Sequence, residues 1–336
     1  MVKNSDFMLR LGEPATAGLL RISEALLVLA TARLLHPGDD RDADIHFARI
    51  TIKRLRAIFR LLRPALGEVI FRVENAHFKN AAQRLGRPRD AAVGHELLAR
   101  ISKDAASARS REAVAIVREH FEKRAAFPPA AEREEEMQAA AMILEASCLR
   151  LDGLRIEADD RALIERVLKD VFRACRQRMK KAHAHDSDAA FHRWRIRVKN
   201  LFYELQCLRG VWPRKLRRTL RQLKKLEEKL GSDHDVAVLK STLRAKPGQF
   251  GGKVAVEVVT GLLQKRSHKL RRKSRKLGCA LFAKKPSRFI RPLTKKLEQP
   301  ADKNSAQRGG SQFKIGAVSR HLANERNWRI PNSDVV

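Results

Sequence analysis

Two short blocks of sequence recur in the same order about 145 residues apart, and this repeat limits the fold more than any other feature of the chain. Residues 46–56 (HFARITIKRLR) match residues 192–202 (HRWRIRVKNLF) at an offset of 192 − 46 = 146. Residues 85–93 (LGRPRDAAV) match residues 230–238 (LGSDHDVAV) at an offset of 230 − 85 = 145. Because two separate blocks keep nearly the same offset, the sequence predicts a tandem duplication of one structural unit.

The repeated unit is predicted to be helical. Apolar residues recur at three- and four-residue spacings, and no stretch convincingly alternates with the two-residue period of a strand. Short breaks containing Gly or Pro, placed between amphipathic segments, are typical of antiparallel helices in bundles. The sequence therefore predicts an all-α chain of two pseudo-symmetric four-helix bundles, over 10–130 and 155–283, joined by a helix near 131–150. Helices are predicted at 16–35, 45–66, 69–85, 131–150, 157–183, 190–210, 214–230 and 253–277.

The second repeated block is predicted to contain the end of one helix and the start of the next in both copies. Leu85-Gly86 and Leu230-Gly231 are interpreted as helix C-termini with Gly in the left-handed capping position. Asp90 and Asp235 would then lie near the start of the next helix, where a carboxylate is favourable.

The last part of the chain is strongly basic. From residue 262 onward there are 20 Lys or Arg but only 4 Asp or Glu, and Pro, Gly, Ser and Asn become frequent after 284. Residues 284–336 are therefore predicted to be a basic, loosely ordered tail.

The charge of the chain indicates a polyanionic partner. There are 71 Lys plus Arg against 38 Asp plus Glu, a net charge of +33. A surface so charged repels itself unless an anion binds to it. The longest apolar stretch, 25–32, is far shorter than the ~20 residues that span a bilayer, so no membrane insertion is expected. The start lacks the layout of a secretory signal and the four Cys are scattered, so the reducing cytoplasm is the expected location.

Basic residues are concentrated on one face of the repeated helix. In the first copy they advance by three or four residues, which keeps them aligned over ~25 Å of helix. No acid occurs between 45 and 66, so an anion is expected to lie along this stripe. The second copy has a shorter stripe, supplemented by cations of the following segment. The candidate binding residues are His46, Arg49, Lys53, Arg56, Arg60 and Arg63 with Arg72 and Lys79 in copy one, and His192, Arg195 and Lys199 with Arg217, Arg221 and Lys224 in copy two.

The two motifs together, H-x-x-R-x-x-x-K-R-L-R followed by L-G-x-x-R-D-x-x-V, resemble the CHAD family, the conserved histidine α-helical domains. The resemblance covers about residues 10–280, and a CHAD domain is expected over 10–283. It implies non-catalytic binding of inorganic polyphosphate, association with polyphosphate granules and no cofactor. By motif position it implies binding roles for His46, Arg49, Lys53, Arg54 and Arg56, and for His192, Arg195 and Lys199. The sequence departs from the family pattern at Asn200 and Phe202, where basic residues are usual.

Two other functions are compatible with the same charges. An RNA- or DNA-binding protein would use the same stripes on a nucleic-acid backbone, although such proteins usually add aromatic platforms and only 5% of this chain is aromatic. The chain could also assist a metal-dependent phosphatase. Catalysis by the chain itself is not expected, because phosphoryl transfer needs clustered metal-binding carboxylates. Residues 40–44 (DRDAD) lack the Gly and the closing Glu of a calcium loop. No metal site is predicted.

Overall fold

The computed structural model describes residues 7–10, 12–124, 130–156, 158–211 and 213–294, without the side chains of 87–92, 124, 130, 213, 215 and 294. Within these ranges the chain contains eleven α-helices and no β-strand, which confirms the predicted all-α class. A 3-10 turn, Pro247–Phe250, separates α9 from α10. The helices are α1 Ala15–Leu35, α2 Arg41–Leu66, α3 Glu68–Arg84, α4 Arg87–Asp104, α5 Ala108–Arg124, α6 Ala130–Leu151, α7 Asp160–His185, α8 Asp188–Cys207, α9 Pro213–Ala245, α10 Lys253–Leu281 and α11 Pro286–Thr294.

Helices α1, α2, α3 and α6 pack together as one group. Their buried faces supply Leu27, Phe59, Phe78 and Leu144 to a common apolar core, and the rings of Phe59 and Phe78 meet edge to face at 5.1 Å. Helix α6 occupies the segment predicted to join the two copies. It packs against α1 and α3, so it is one of the four helices of this group as well as the segment predicted to connect the two copies.

Helices α7 and α8, the first half of α9 and α11 form a neighbouring group that shares the same core. Trp194 is fully buried in it, and Phe172 stacks on Phe289 of α11 with ring centroids 4.9 Å apart. Ile290 and Leu293 of α11 are also buried. The tail predicted from residue 284 therefore begins with an ordered, packed helix, because its apolar residues recur at helical spacing. Residues 295–336 lie outside the described part of the chain.

The two groups meet through α2 and α8. Helix starts recur at offsets close to those of the sequence repeat: α1 and α7 at 160 − 15 = 145, α3 and α9 at 213 − 68 = 145, and α5 and α10 at 253 − 108 = 145. Helices α2 and α8 start 188 − 41 = 147 residues apart. These spacings support the duplication, which stays a prediction.

A second apolar core lies apart from the first. It combines α4 and α5 with the second half of α9 and the first half of α10, and includes Leu98, Val117, Leu243 and Val259. No helix was predicted from the sequence at α4 or α5, and the helix of α9 was predicted to end at residue 230. Because this core mixes helices from 10–130 with helices from 155–283, packing does not follow the boundary between the predicted copies. Those domain limits stay a prediction.

Candidate functional site

The basic stripe of α2 lies over the antiparallel helix α3. The guanidinium group of Arg49 donates to the carbonyl oxygen of Leu85, and Arg56 Nε donates to Asn75 Oδ1 at 3.0 Å. Burial, reinforced by the nearby Arg60, lowers the pKa of Arg56 from its ordinary value. The start of the stripe is thus held in place by neutral acceptors, which fix the arginines without cancelling their charge.

The far end of the stripe is neutralised by acids from other segments. Glu68, at the start of α3, pairs with Arg63 at 2.8 Å and with Arg72 at 2.7 Å. Arg60 Nε donates to Glu204 Oε1 of α8 at 2.9 Å. The expectation that an acid-free helix needs an external anion along its whole length is therefore wrong at Arg60 and Arg63, because the acids come from outside the helix.

Glu204 is fully buried between the two groups of helices. Only one of its oxygens has a hydrogen-bond partner in the described part of the chain, since Oε2 is buried without one. Desolvation raises the pKa of Glu204 to about 7, although Arg60 and Arg197 both oppose that rise. Arg54, implied as a phosphate ligand, is displaced from the stripe by one residue and lies close enough to influence Cys207 of α8 electrostatically.

In the second group, four side chains of α8 and α9 form a compact site that we call the histidine cluster: His192, Arg195, Lys199 and His234. The Nδ1 atoms of His192 and His234 are 3.1 Å apart, so one ring donates and the other accepts. The ring centroids are separated by 4.4 Å. His234 was not among the candidate residues. Its position within the second repeated block, 230–238, was the available signal.

The charged groups that shift both histidines are cations. Burial lowers the pKa of His192, and Arg195, Arg193 and Lys199 lower it further. Burial lowers the pKa of His234 to about 4, with added repulsion from Arg195, His192 and Lys199. Both shifts favour the neutral form of the ring, in a region of positive potential that favours an anion.

Each motif arginine lies beside the glycine of the second motif. A Cβ atom at Gly86 would lie 3.4 Å from Arg49 Nη1, and one at Gly231 would lie 3.8 Å from Arg195 Nε. Gly86 has a φ of −96° and Gly231 lies inside α9, so the predicted left-handed caps are wrong. Arg195 Nε is buried and has no hydrogen-bond partner among the described residues.

Asp235 also lies inside α9, which contradicts its predicted place near a helix start. Helix α4 begins at Arg87, so Asp90 is near a helix start as predicted. Its side chain is not among those that the structure describes. The carboxylate of Asp233, two residues before Asp235, has a structural role instead. It is buried and accepts from Ser267 Oγ at 2.5 Å and from Arg271 Nε at 3.1 Å.

Arg271 links this carboxylate to the start of α8. The guanidinium group is 3% exposed and also pairs with Asp188, four residues before His192. Its Nη1 donates to the carbonyl oxygen of Asp186 at 2.5 Å. This network fixes α8 and α9 against α10 and so sets the distance between His192 and His234.

The remaining candidates stay away from the histidine cluster. Arg217, Arg221 and Lys224 are exposed on the first half of α9, and Lys224 is 3.9 Å from both Glu227 and Glu228. Arg217 precedes His234 by 17 residues, or ~25 Å along the helix. Lys79 is exposed on α3. The exposed face of α9 is thus a separate basic surface.

The acids at 40–44 have structural partners. Asp40 caps α2 by accepting from the Ala43 amide at 2.9 Å, Asp42 pairs with Arg133, and Asp44 accepts from the Gly38 amide at 2.8 Å. Across the described ranges, no group of three or more His, Cys, Asp or Glu side chains is placed to hold a metal ion. Within the same ranges, no helix combines the length and apolarity needed to cross a bilayer.

Comparisons with known proteins agree with this fold. A crystal structure of the CHAD domain from the plant Ricinus communis matches with a TM-score of 0.58 and 19% identity, over 84% of this chain and 96% of the plant chain. Comparison with curated protein sequences gives no match. The family model for the CHAD domain matches residues 24–244, which is 221 of the 336 residues. The chain therefore belongs to the CHAD domain family.

Proposed function

We propose that this protein binds inorganic polyphosphate without transforming it, with the histidine cluster as the main site and the first half of the α2 stripe as a weaker contact for long chains, because donors of Arg49 and Arg56 are already engaged. The observation that carries the proposal is electrostatic: among the residues that the structure describes, the charged side chains that shift the pKa of His192 and His234 are cations. A site of this kind repels further positive charge and is stabilised by an anion. Membership of the CHAD family and the net charge of +33 support the same ligand.

The side chains suit a phosphate chain better than a nucleic acid. Arg195 can donate to two phosphate oxygens at once, and Lys199 acts as a point charge one turn later. His192 and His234 add donors when they are protonated. The cluster contains no Phe, Tyr or Trp side chain on which a base could stack, which is the usual source of affinity for single-stranded nucleic acid.

A binding role without catalysis is part of the proposal. The acids at 40–44 are engaged in caps and ion pairs, and Glu204 is engaged with Arg60. Association with polyphosphate granules is proposed on the family resemblance, and a cytoplasmic location on the four scattered cysteines. RNA or DNA binding is the alternative, because the α9 surface of Arg217, Arg221 and Lys224 is exposed to any polyanion.

The proposal is tested by removing charge from the histidine cluster alone. Arg195→Ala with Lys199→Ala should weaken polyphosphate binding at least ~10-fold, a loss of ~1.4 kcal/mol. The matched control is Arg272→Ala with Lys276→Ala, which removes an exposed Arg and Lys at the same spacing on α10. Isothermal titration at about 0.15 M salt would measure both. Equal losses in the two variants would contradict a localised site.

A further inference from the structure

A second basic site lies between α7 and the start of α11. It belongs to the same group of helices as the histidine cluster, but it is on different helices. A groove of about 560 Å³ is lined by Lys169, Arg173, Arg176 and Lys180 of α7, and by Lys285 and Ser287 at the other wall. The four α7 cations are spaced by 4, 3 and 4 residues, so they follow one face of the helix. This volume is in the range of small-molecule binding sites.

Apolar packing holds the two walls together. Phe172 stacks on Phe289 of α11 and meets Phe282 edge to face at 5.2 Å. Ile290 and Leu293 are buried beneath α11. These contacts hold the start of α11, where Lys285 and Ser287 lie, against α7.

The groove keeps a net positive charge after its own ion pairs are counted. Lys169 pairs with Glu165, and Arg173 pairs with Asp170 at 2.6 Å. Arg176, Lys180 and Lys285 have no acidic partner among the residues that the structure describes. Two cations of α7 and one that directly precedes α11 therefore line the same groove, and their like charges repel each other unless an anion lies between them.

The groove is not part of the repeated motif. The residues 145 positions before the four α7 cations are Glu24, Val28, Thr31 and Leu35, none of which is basic. The second wall, at 285–287, lies beyond the segment 24–244 that matches the family model. This basic groove is thus a feature of this chain's second half alone.

We infer that the groove binds a second segment of an inorganic phosphate chain, an assignment that rests on the proposed function of the histidine cluster. Arg176 supplies paired donors, Lys180 and Lys285 supply point charges, and the Ser287 hydroxyl supplies a further donor. The lining contains no aromatic ring, which disfavours a nucleotide base. The groove residues lie on α7 and at the start of α11, whereas the histidine cluster lies on α8 and α9. The protein therefore has two separate phosphate sites. Two sites allow one protein to bridge two segments of polyphosphate.

The test uses the full chain and tripolyphosphate as the probe. Isothermal titration of the unmodified protein should give two bound tripolyphosphate ions. Arg176→Glu with Lys180→Glu should bind one, and the matched control Arg272→Glu with Lys276→Glu should still bind two. Circular dichroism and thermal unfolding of both variants check that the fold is kept. Two ions bound by the Arg176→Glu, Lys180→Glu variant would overturn the groove assignment.

A third variant separates failure of the groove from failure of the proposed function. Arg195→Ala with Lys199→Ala should leave the groove as the main site, with one tripolyphosphate bound. If this variant binds none while the unmodified protein binds one, the groove assignment is wrong and the histidine cluster stands. If the unmodified protein binds neither tripolyphosphate nor long polyphosphate, both are wrong. If ATP binds the variant more tightly than tripolyphosphate does, the ligand is a nucleotide and the assignment to an inorganic chain fails.

Discussion

Replacing Glu204 with Gln should make the protein more stable above neutral pH. Glu204 is fully buried, its Oε2 atom has no partner in the described part of the chain, and its charge faces Arg60 and Arg197. Gln keeps the shape of the side chain and can still accept a hydrogen bond from Arg60 Nε. It removes the cost of holding a carboxylate charge away from water.

The size of the effect follows from the pKa of Glu204. In the folded chain burial raises that pKa from 4.5 to about 7. Below pH 4.5 the carboxyl is protonated in both states, so its full contribution to stability is present. Between the two values the unfolded chain releases a proton that the folded chain keeps, and stability falls as the pH rises. At ~1.36 kcal/mol per pKa unit, the difference of 2.5 units amounts to ~3 kcal/mol lost by pH 8.5.

Urea unfolding of both proteins, from pH 5 to pH 8.5, measures this difference. The Glu204→Gln variant should match the unmodified protein to within ~1 kcal/mol at pH 5 and exceed it by ~3 kcal/mol at pH 8.5. The control is Glu74→Gln, since Glu74 is also buried but both of its oxygens accept from Arg150, at 2.5 and 3.2 Å. This control should be destabilised by ~1–3 kcal/mol at pH 8.5. A constant difference between Glu204→Gln and the unmodified protein at all pH values would show that folding does not raise the pKa of Glu204.

Two further predictions concern the histidine pair and the glycines of α10. Bound phosphate should raise the lowered pKa values of His192 and His234, so polyphosphate affinity should increase as the pH falls from about 8 to about 5.5. Substituting both with Gln should flatten that dependence in titrations, and an unchanged slope would exclude the pair. Gly278→Ala should destabilise the chain by ~1–3 kcal/mol, because its Cβ would lie 2.6 Å from Trp194 Cζ2. Gly261→Ala has open space and should stabilise it by ~0.5–1 kcal/mol, and the reverse order in urea unfolding would contradict this packing.

Helical periodicity was enough to predict the fold class and most helices. The end of α9 was predicted wrongly, because Gly231 matches the usual signal of a helix C-terminus while the second half of α9 is stabilised by packing in the second core. Helix α11 was missed because its surroundings are rich in Lys, Pro and Ser. The packing role of its apolar residues depends on Phe172, which lies more than 100 residues earlier in the chain and stacks on Phe289.

The site was predictable in part for the same reason. His192, Arg195 and Lys199 lie together as their helical spacing requires, and His234 belongs to the other repeated block. The pairing of Arg60 with Glu204 was not predictable, since these residues are 144 positions apart and meet only where α2 contacts α8. A local count of charges therefore overstated how much of the α2 stripe needs an external anion.

A competition titration decides whether this protein prefers inorganic polyphosphate to other polyanions. Labelled polyphosphate would be bound to the unmodified protein at about 0.15 M salt and challenged with RNA and DNA matched for total charge. We expect nucleic acid to leave most of the polyphosphate bound, whereas unlabelled polyphosphate should displace it. Displacement by RNA as effective as that by polyphosphate would contradict this preference and make the protein a general polyanion binder.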